Sequence, residues 1–454
     1  MLYVYNILKL KHINNTVNKH LTPILPSIQE SDSYAIAADQ LWDGTSTNPT
    51  PNLAVIINGE KIQDVISTNM IPNAMKIIKL PKCTLLPGLI DAHVHYSSVM
   101  GPSFLSAGVT TVRDVGNDLH WILKQRAFNE INKDCGPSII CCGHLQDGPV
   151  KYWPNMGRAN VNAESVRSSI REHINAGVDA IKLYDGLNAE MVYAGIDETH
   201  KLNKPVTAHL VECSVEDAVS AGLDCIEHLS GCTTAWNNSS ENDQILIDLL
   251  LKNNVAIDPT LVIFDRAATG LDLVFARDGS RDWVHPSHLY YWDQSGYPKI
   301  GNFEERLKQQ QELLYLKRFL LRAHESGVTT AIGTDTPFPR LAPGFSLHDE
   351  MAHYVDAGIK PVEVLKSATS VNAKVLNLES TAGKIKSGFK ADFVAVRGNP
   401  INDIRDIQKT QLVVRKGMVI SQEKLQKDLK VTFDNIPNDA ITLDFIDRLE
   451  RYAN

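Results

Sequence analysis

The stretch "GLIDAHVHYSS", residues 88–98, ends an apolar run in two histidines spaced as His-x-His. A β-strand turns alternate side chains to one face, so His93 and His95 can meet a single point there. In a chain with 15 histidines such a pair is a frequent accident and by itself carries little. Its meaning depends on what ends the other apolar runs.

From Pro87-Gly88 onward, apolar runs alternate with helical segments. The strand-like runs are "LIDAHVH", "GVTTVRDV", "GPSIICCG", "DAIKLYD", "KPVTAHL", "LDCIEHL", "VAIDPTL" and "VTTAIGTD". Eight βα units predict an α/β fold, a (β/α)8 TIM barrel over residues 88–375. The helices carry start and stop signals: Ser214 as N-cap with Asp217 in the capping-box position and Gly222 as stop, then Ser346, Asp349 and Gly358 in the same roles. Pro361 opens a further helix.

On either side the pattern is short strands and turns, as in "LAVIINGEKIQDVIS" before the barrel and "TQLVVRKGMVI" after it. Residues 34–87 and 376–420 are expected to pair into one small composite β-sandwich domain. Residues 1–33 read as an N-terminal extension without clear period. Residues 421–454 read as a polar C-terminal extension ending in an amphipathic helix, "LDFIDRLERY".

Composition narrows the function classes. The 454 residues are 43% hydrophobic and 22% charged, with a net charge of -8, which gives no electrostatic reason to expect nucleic acid or an anionic membrane as partner. No stretch has the length of a membrane span. Seven cysteines, none in a Cys-x-x-Cys pair, suit reduced thiols in a cytoplasmic protein. The adjacent Cys141 and Cys142 read as buried strand residues. The N-terminal apolar run meets charge at once and lacks a small-residue cleavage site, so no secretory signal is expected.

In a (β/α)8 barrel the chemistry sits at the C-terminal ends of the strands. His93 and His95 end the first run, Lys182 the fourth, His209 the fifth, His228 the sixth and Asp335 the eighth. Taken singly, each has an ordinary structural reading: a hydrogen-bonded histidine, a helix cap at Asp335, a lysine reaching for the rim. Together they would fill one end of five strands with metal-compatible groups. Four imidazoles and a carboxylate suit two divalent ions, zinc being the ion expected. A lysine amine beside two cations loses its proton and can take up CO2 as a carbamate whose two oxygens bridge the metals. Two metals about 3.5–4 Å apart hold a bridging hydroxide at neutral pH. Asp335 could then pass its proton to a leaving amine.

Here the chain resembles the amidohydrolase superfamily, closest to its imidazolonepropionase-related and prolidase-like branch. The resemblance runs from about residue 36 to 420. It rests on "LLPGLIDAHVH", "GVTTVRDVG", "DAIKLYDG", "KPVTAHLVE", "LDCIEHL", "AIGTDT" and "SATSVNAKVLNLESTAGKIKSGFKADFVAV". It implies that His93, His95 and Asp335 hold the more buried metal, that His209 and His228 hold the other, and that carbamylated Lys182 bridges them. The implied activity is metal-dependent hydrolysis of C–N bonds in a small-molecule amide or dipeptide, of Xaa-Pro or N-acyl amino acid type. A homo-oligomer is left open.

One departure raises an alternative. "HLVE" sets Glu212 three residues after His209, similar to the His-x-x-Glu of single-metal aminohydrolases, where Glu shuttles protons. That favours deamination or opening of an imidazolone-type ring, against a rim position for Glu212; Lys182 speaks for the binuclear site. A non-catalytic binding or assembly protein on the same fold is the third reading. For substrate contacts, Arg113 could pair with a substrate carboxylate, or with Asp114 or another acid at the barrel mouth. His144 and Tyr184 could each donate to a developing oxyanion, or simply pack. The aromatic-rich insert at 264–312 reads as a lid and specificity element, or as an ordered surface excursion.

Overall fold

The computed structural model describes residues 33–232, 240–269, 280–295 and 303–435. Before the first His-x-His strand come Tyr34–Leu41 (β1), Thr50–Pro51 (β2), Leu53–Asn58 (β3), Lys61–Ser67 (β4) and Lys76–Pro87 (β5). The barrel region supplies Leu89–Val94 (β6), Val109–Asp114 (β7), Ser138–Cys141 (β8), Leu145–Asp147 (β9), Gly157–Ala159 (β10), Ile181–Leu183 (β11), Val206–Ala208 (β12), Cys225–Glu227 (β13) and Ala256–Asp258 (β14). Phe393–Arg397 (β15), Thr410–Arg415 (β16) and Met418–Ser421 (β17) follow.

The two flanks join in one hydrogen-bonded sheet of eight strands, ordered β17-β16-β15-β5-β1-β3-β4 with β2 on β1. Strand β5 is its hinge line, running parallel to β1 and antiparallel to β15. Alternation in the sequence turns Ile36, Val55, Ile57, Ile78, Leu80, Phe393, Leu412 and Val414 to one buried face. Each such side chain contributes about 1.5–3 kcal/mol on burial. Through Gly88 the backbone of β5 runs straight into β6.

The remaining strands form a TIM-barrel-like arrangement. β6, β7 and β8 are parallel neighbours, and a second sheet has the order β10-β9-β11-β12-β13-β14. The expected third strand is split: β8 ends at Cys141, Gly143 takes φ +72°, and β9 resumes at Leu145 beside β11. The amide of Asp179, just ahead of β11, donates to Cys141 O at 2.9 Å. The expected eighth strand is an irregular segment between β14 and β6. Ala331 N donates to Ile257 O (2.8 Å), Ala92 N to Ile332 O (3.1 Å) and His95 N to Thr336 O (2.7 Å). Asp335 at φ +61° breaks the extended conformation that a regular strand needs. Gly333 permits the close approach, since a Cβ there would stand 2.5 Å from the His93 Cβ.

Helix signals hold in part. Ser214 caps Val215–Ser220 by accepting from Asp217 N, Gly222 turns left-handed at φ +100°, and Pro361 opens Pro361–Lys366. The helix expected to start at Ser346 instead has Gly344 as N-cap, with Ser346 buried in its first turn and no side-chain cap. Gly344 lies against Ala107, Phe104 and Ser103, a contact that admits no side chain and moves the helix start. Asp349 accepts from Arg266 Nη2 at 2.5 Å rather than closing a capping box.

The C-terminal stretch is not merely a polar extension. Gln422–Asn435 is a helix that buries Leu425 and Leu429, the former against Leu105, Val413 and Ile420. Residues 1–32 and the expected helix at "LDFIDRLERY" lie outside the described residues.

Candidate metal centre

β6 delivers the first two candidate ligands. His93 is buried, and His95 follows one residue beyond the end of the strand. Asp335 arrives on the irregular segment, its amide donating to His93 O at 2.8 Å. Its Oδ1 lies 3.2 Å from His93 Nε2 and 3.1 Å from His95 Nε2, so the three present ligand atoms close enough to share one ion. The other ring nitrogens are committed: His93 Nδ1 to Glu227 Oε2 at 2.7 Å, His95 Nδ1 to Gly116 O at 2.9 Å. Such outer partners orient the rings and leave each Nε2 aimed at the shared point. Burial opposes ionisation of Asp335, but the hydrogen bonds of His93 and His95 and the charge of His93 and His228 hold its carboxyl well below the usual range.

Three further groups adjoin this point. The His228 ring lies 4.5 Å from that of His93 and 5.0 Å from that of His209. His228 takes φ +58° and pairs its Nδ1 with Thr260 Oγ1 at 2.6 Å. A non-glycine residue held left-handed is a strained placement of a kind that clusters at functional sites. Burial, with Lys182 acting the same way, pushes His209 down to about 3. Lys182 itself is buried, and among the described residues its Nζ has no hydrogen-bond partner. Burial holds its amine below the ordinary value against the opposing pull of Glu227, with Arg113 reinforcing burial.

Arg113 is not at the rim. Its guanidinium is buried inside the barrel, donating from Nη2 to Glu227 Oε1 at 2.5 Å and from Nε to Ala92 O at 2.6 Å. Of the two readings of Arg113, a substrate carboxylate or a neighbouring acid, the structure favours the second in place of the substrate contact: the acid is Glu227 from β13 rather than Asp114. Asp114 instead accepts from Tyr96 N and Asn117 Nδ2. His144 lies beside His173, ring centroids 5.5 Å apart, with Nε2 3.8 Å from Asp118, and burial lowers it to about 4. Tyr184 stays at the site: its ring is 5.0 Å from His209, and its Oη accepts from Trp153 Nε1 at 2.9 Å. Glu212 is an exposed residue beyond β12.

Three buried acids were passed over in the sequence. Asp91, Glu227 and Asp258 all sit inside apolar runs, "LIDAHV", "CIEHL" and "AIDP", where a charge interrupts an otherwise buried strand. That interruption was the available signal. Burial raises Asp91 to about 7 and Asp258 well above its usual range, with Glu227 adding to the latter. Glu227 goes the other way: burial opposes its charge, but Arg113, Lys182 and His93 hold it well below.

Of the 264–312 insert, the described part packs at this end of the strands. Trp292 Nε1 donates to Pro337 O at 2.9 Å, and His288 Nε2 lies 3.3 Å from Ser97 Oγ. The rest of the insert, 270–279 and 296–302, lies outside the described residues.

This donor set fits a divalent ion: four imidazoles, a carboxylate and a buried amine with no hydrogen-bond partner among the described residues. Residues 84–420 match the Amidohydrolase family, and the chain belongs to that family. It is a hydrolase acting on carbon–nitrogen bonds. Over 89% of its length it is 23% identical to ochratoxinase from Aspergillus niger, covering 76% of that protein. Its fold is similar to a putative prolidase from Bifidobacterium longum (24% identity, TM-score 0.68, 89% of this chain and 98% of that one). It is also similar to a Xaa-Pro dipeptidase crystallised with methionine in the active site (22% identity, TM-score 0.66, 86% and 100%). No described helix is long and apolar enough to cross a membrane.

Proposed function

We propose that the chain hydrolyses the amide bond of small dipeptides of Xaa-Pro type or of N-acyl amino acids, with two divalent ions, zinc by preference, at a binuclear site. In this reading His93, His95 and Asp335 would hold one ion and His209 and His228 the other, with carbamylated Lys182 as their shared ligand. The observation that carries it is the Lys182 amine, buried without a hydrogen-bond partner among the described residues and within electrostatic reach of Glu227, His209, His228 and Asp335. A lysine placed so has little reason to stay an ammonium ion.

When bound, the ions supply a hydroxide nucleophile at neutral pH and polarise the scissile carbonyl. The Asp335 carboxylate accepts the nucleophile's proton and returns it to the amine nitrogen as the C–N bond breaks. Tyr184, with Trp153 on its hydroxyl and Tyr152 6.3 Å from its ring, stands on the His209 side and borders the substrate. His144, turned to His173, is assigned a packing role.

The same reading takes the parallel strands, with the segment that carries Asp335, as a complete (β/α)8 barrel over 88–375. Residues 34–87 and 376–420 form its companion domain, and the insert acts as a specificity wall. A reducing, cytoplasmic setting is part of the proposal, supported by seven free thiols, Cys141 and Cys142 adjacent among them. The single-metal reading would need Glu212 as proton shuttle, and its exposed position beyond the cluster does not favour that.

Metal analysis of the purified protein, with a panel of dipeptides and N-acyl amino acids, tests the proposal. About two zinc equivalents with release of a free amino acid is the expected result. A metal-free inert protein, or ammonia released from a ring substrate, would overturn it.

A further inference from the structure

We infer that Arg113 and Glu227 are positioning residues for the candidate metal centre, fixing His93 in the one tautomer and orientation that can bind a metal. The inference rests on reading His93 as a ligand. Each link in it is a contact between buried groups. Glu227 spans two partners: Oε2 takes the His93 Nδ1 at 2.7 Å, and Oε1 takes Arg113 Nη2 at 2.5 Å together with the Thr207 hydroxyl. Arg113 reaches back with Nε to Ala92 O at 2.6 Å, the carbonyl just before His93. One guanidinium thus ties the backbone of β6 to the acid that orients the β6 histidine. Relative exposures of 4% for Arg113, 0% for Glu227 and 1% for His93 leave no solvent to replace a lost partner.

The chemistry of the imidazole makes this specific. A neutral imidazole carries one proton, and a carboxylate facing Nδ1 keeps it there. The lone pair is then on Nε2, the atom 3.2 Å from Asp335. The opposite tautomer would place hydrogen where a metal must sit. Glu227 alone would be a buried uncompensated anion, costly enough to rearrange or take up a proton. Arg113 supplies the counter-charge, and its second bond keeps that charge from drifting toward Asp258, 4.0 Å away. A core ion pair of purely structural purpose would have no need to end on a ligand's Nδ1.

The test measures zinc binding to metal-stripped protein by competition with a chromophoric chelator, without substrate. Glu227→Gln keeps the shape and loses the charge. It should fold, as read by circular dichroism, and bind zinc about 10–100-fold more weakly, in line with changes to other outer partners of metal ligands. Arg113→Met alone leaves Glu227 unpaired and risks the fold, so Arg113→Met/Glu227→Gln, in which both charges are gone, is the companion variant. Because Arg113 acts through Glu227, the double variant should match Glu227→Gln in zinc affinity and not add a second loss. Folded Glu227→Gln binding within about twofold of the parent, or a double variant with compounded losses, would overturn the inference. A parent that binds no zinc overturns this inference and the proposed function together. A parent that binds zinc but cleaves no dipeptide or N-acyl amino acid leaves the zinc comparison to decide this inference alone.

Discussion

Gly333 lies directly against His93: a Cβ built on the glycine would stand 2.5 Å from the histidine's Cβ and 2.7 Å from its backbone nitrogen. The two residues belong to opposite ends of the barrel sequence, yet their contact sets how near Asp335 comes to the His-x-His pair. A methyl group here meets backbone, which cannot swing aside as a side chain would. Gly333→Ala should therefore cost about 1–3 kcal/mol of stability and lower the zinc content of purified protein. Urea unfolding and metal analysis check the two effects. A variant that keeps both would show that the ligand geometry does not depend on this contact.

Lys182→Ala should lose metal and activity together. The substitution removes the proposed bridge and leaves two cations with no shared anion between them. Metal analysis alongside turnover of an active substrate is the measurement. Full activity with one bound ion would sink the binuclear reading.

Glu212→Gln should leave the enzyme nearly as active as the parent, because the side chain is exposed beyond β12. A fall in kcat of about 10²–10⁴-fold, the usual scale for loss of a general acid–base group, would instead restore the single-metal reading.

Glu350, which is not one of the candidate ligands, gives a pH dependence of its own. Burial raises its carboxyl to about 8, from 4.5, while it accepts the amides of Leu261 (2.8 Å) and Val262 (2.7 Å). The folded state thus holds a proton that the unfolded chain releases near pH 4.5. Its contribution to stability is full below that pH and is lost as pH rises to about 8. Urea unfolding of metal-stripped protein across that window should show stability falling with pH, by at most about 1.4 kcal/mol per unit from this group. Glu350→Gln should flatten the slope. An equal slope in both proteins would show that the carboxyl ionises normally.

The polar ends of the apolar runs were legible because a strand end is a local feature. His93, His95, His209, His228 and Asp335 each mark the end of a run, and it was their joint occurrence that made them candidates. For Arg113 the choice between a substrate carboxylate and a neighbouring acid could not be made locally, because its partner Glu227 lies in β13, far along the chain from β7. The helix start at Ser346 failed through a tertiary contact, the packing of Gly344 on Phe104 and Ala107, which outweighed local capping chemistry. The C-terminal helix was underestimated because its buried residues, Leu425 and Leu429, are few, and Leu425 gains its role only against the distant Leu105 and Val413.

Strand β5 lies between β1, made just before it, and β15, made long after. On a ribosome this imposes an order of events. The segment bearing His93 and His95 emerges early, joined to a strand that still lacks its neighbour on one side. That edge waits, open to water and to other chains, until Phe393–Arg397 has been synthesised. Vectorial synthesis therefore leaves the nascent chain with an unsealed seam while residues 88–392 are being made.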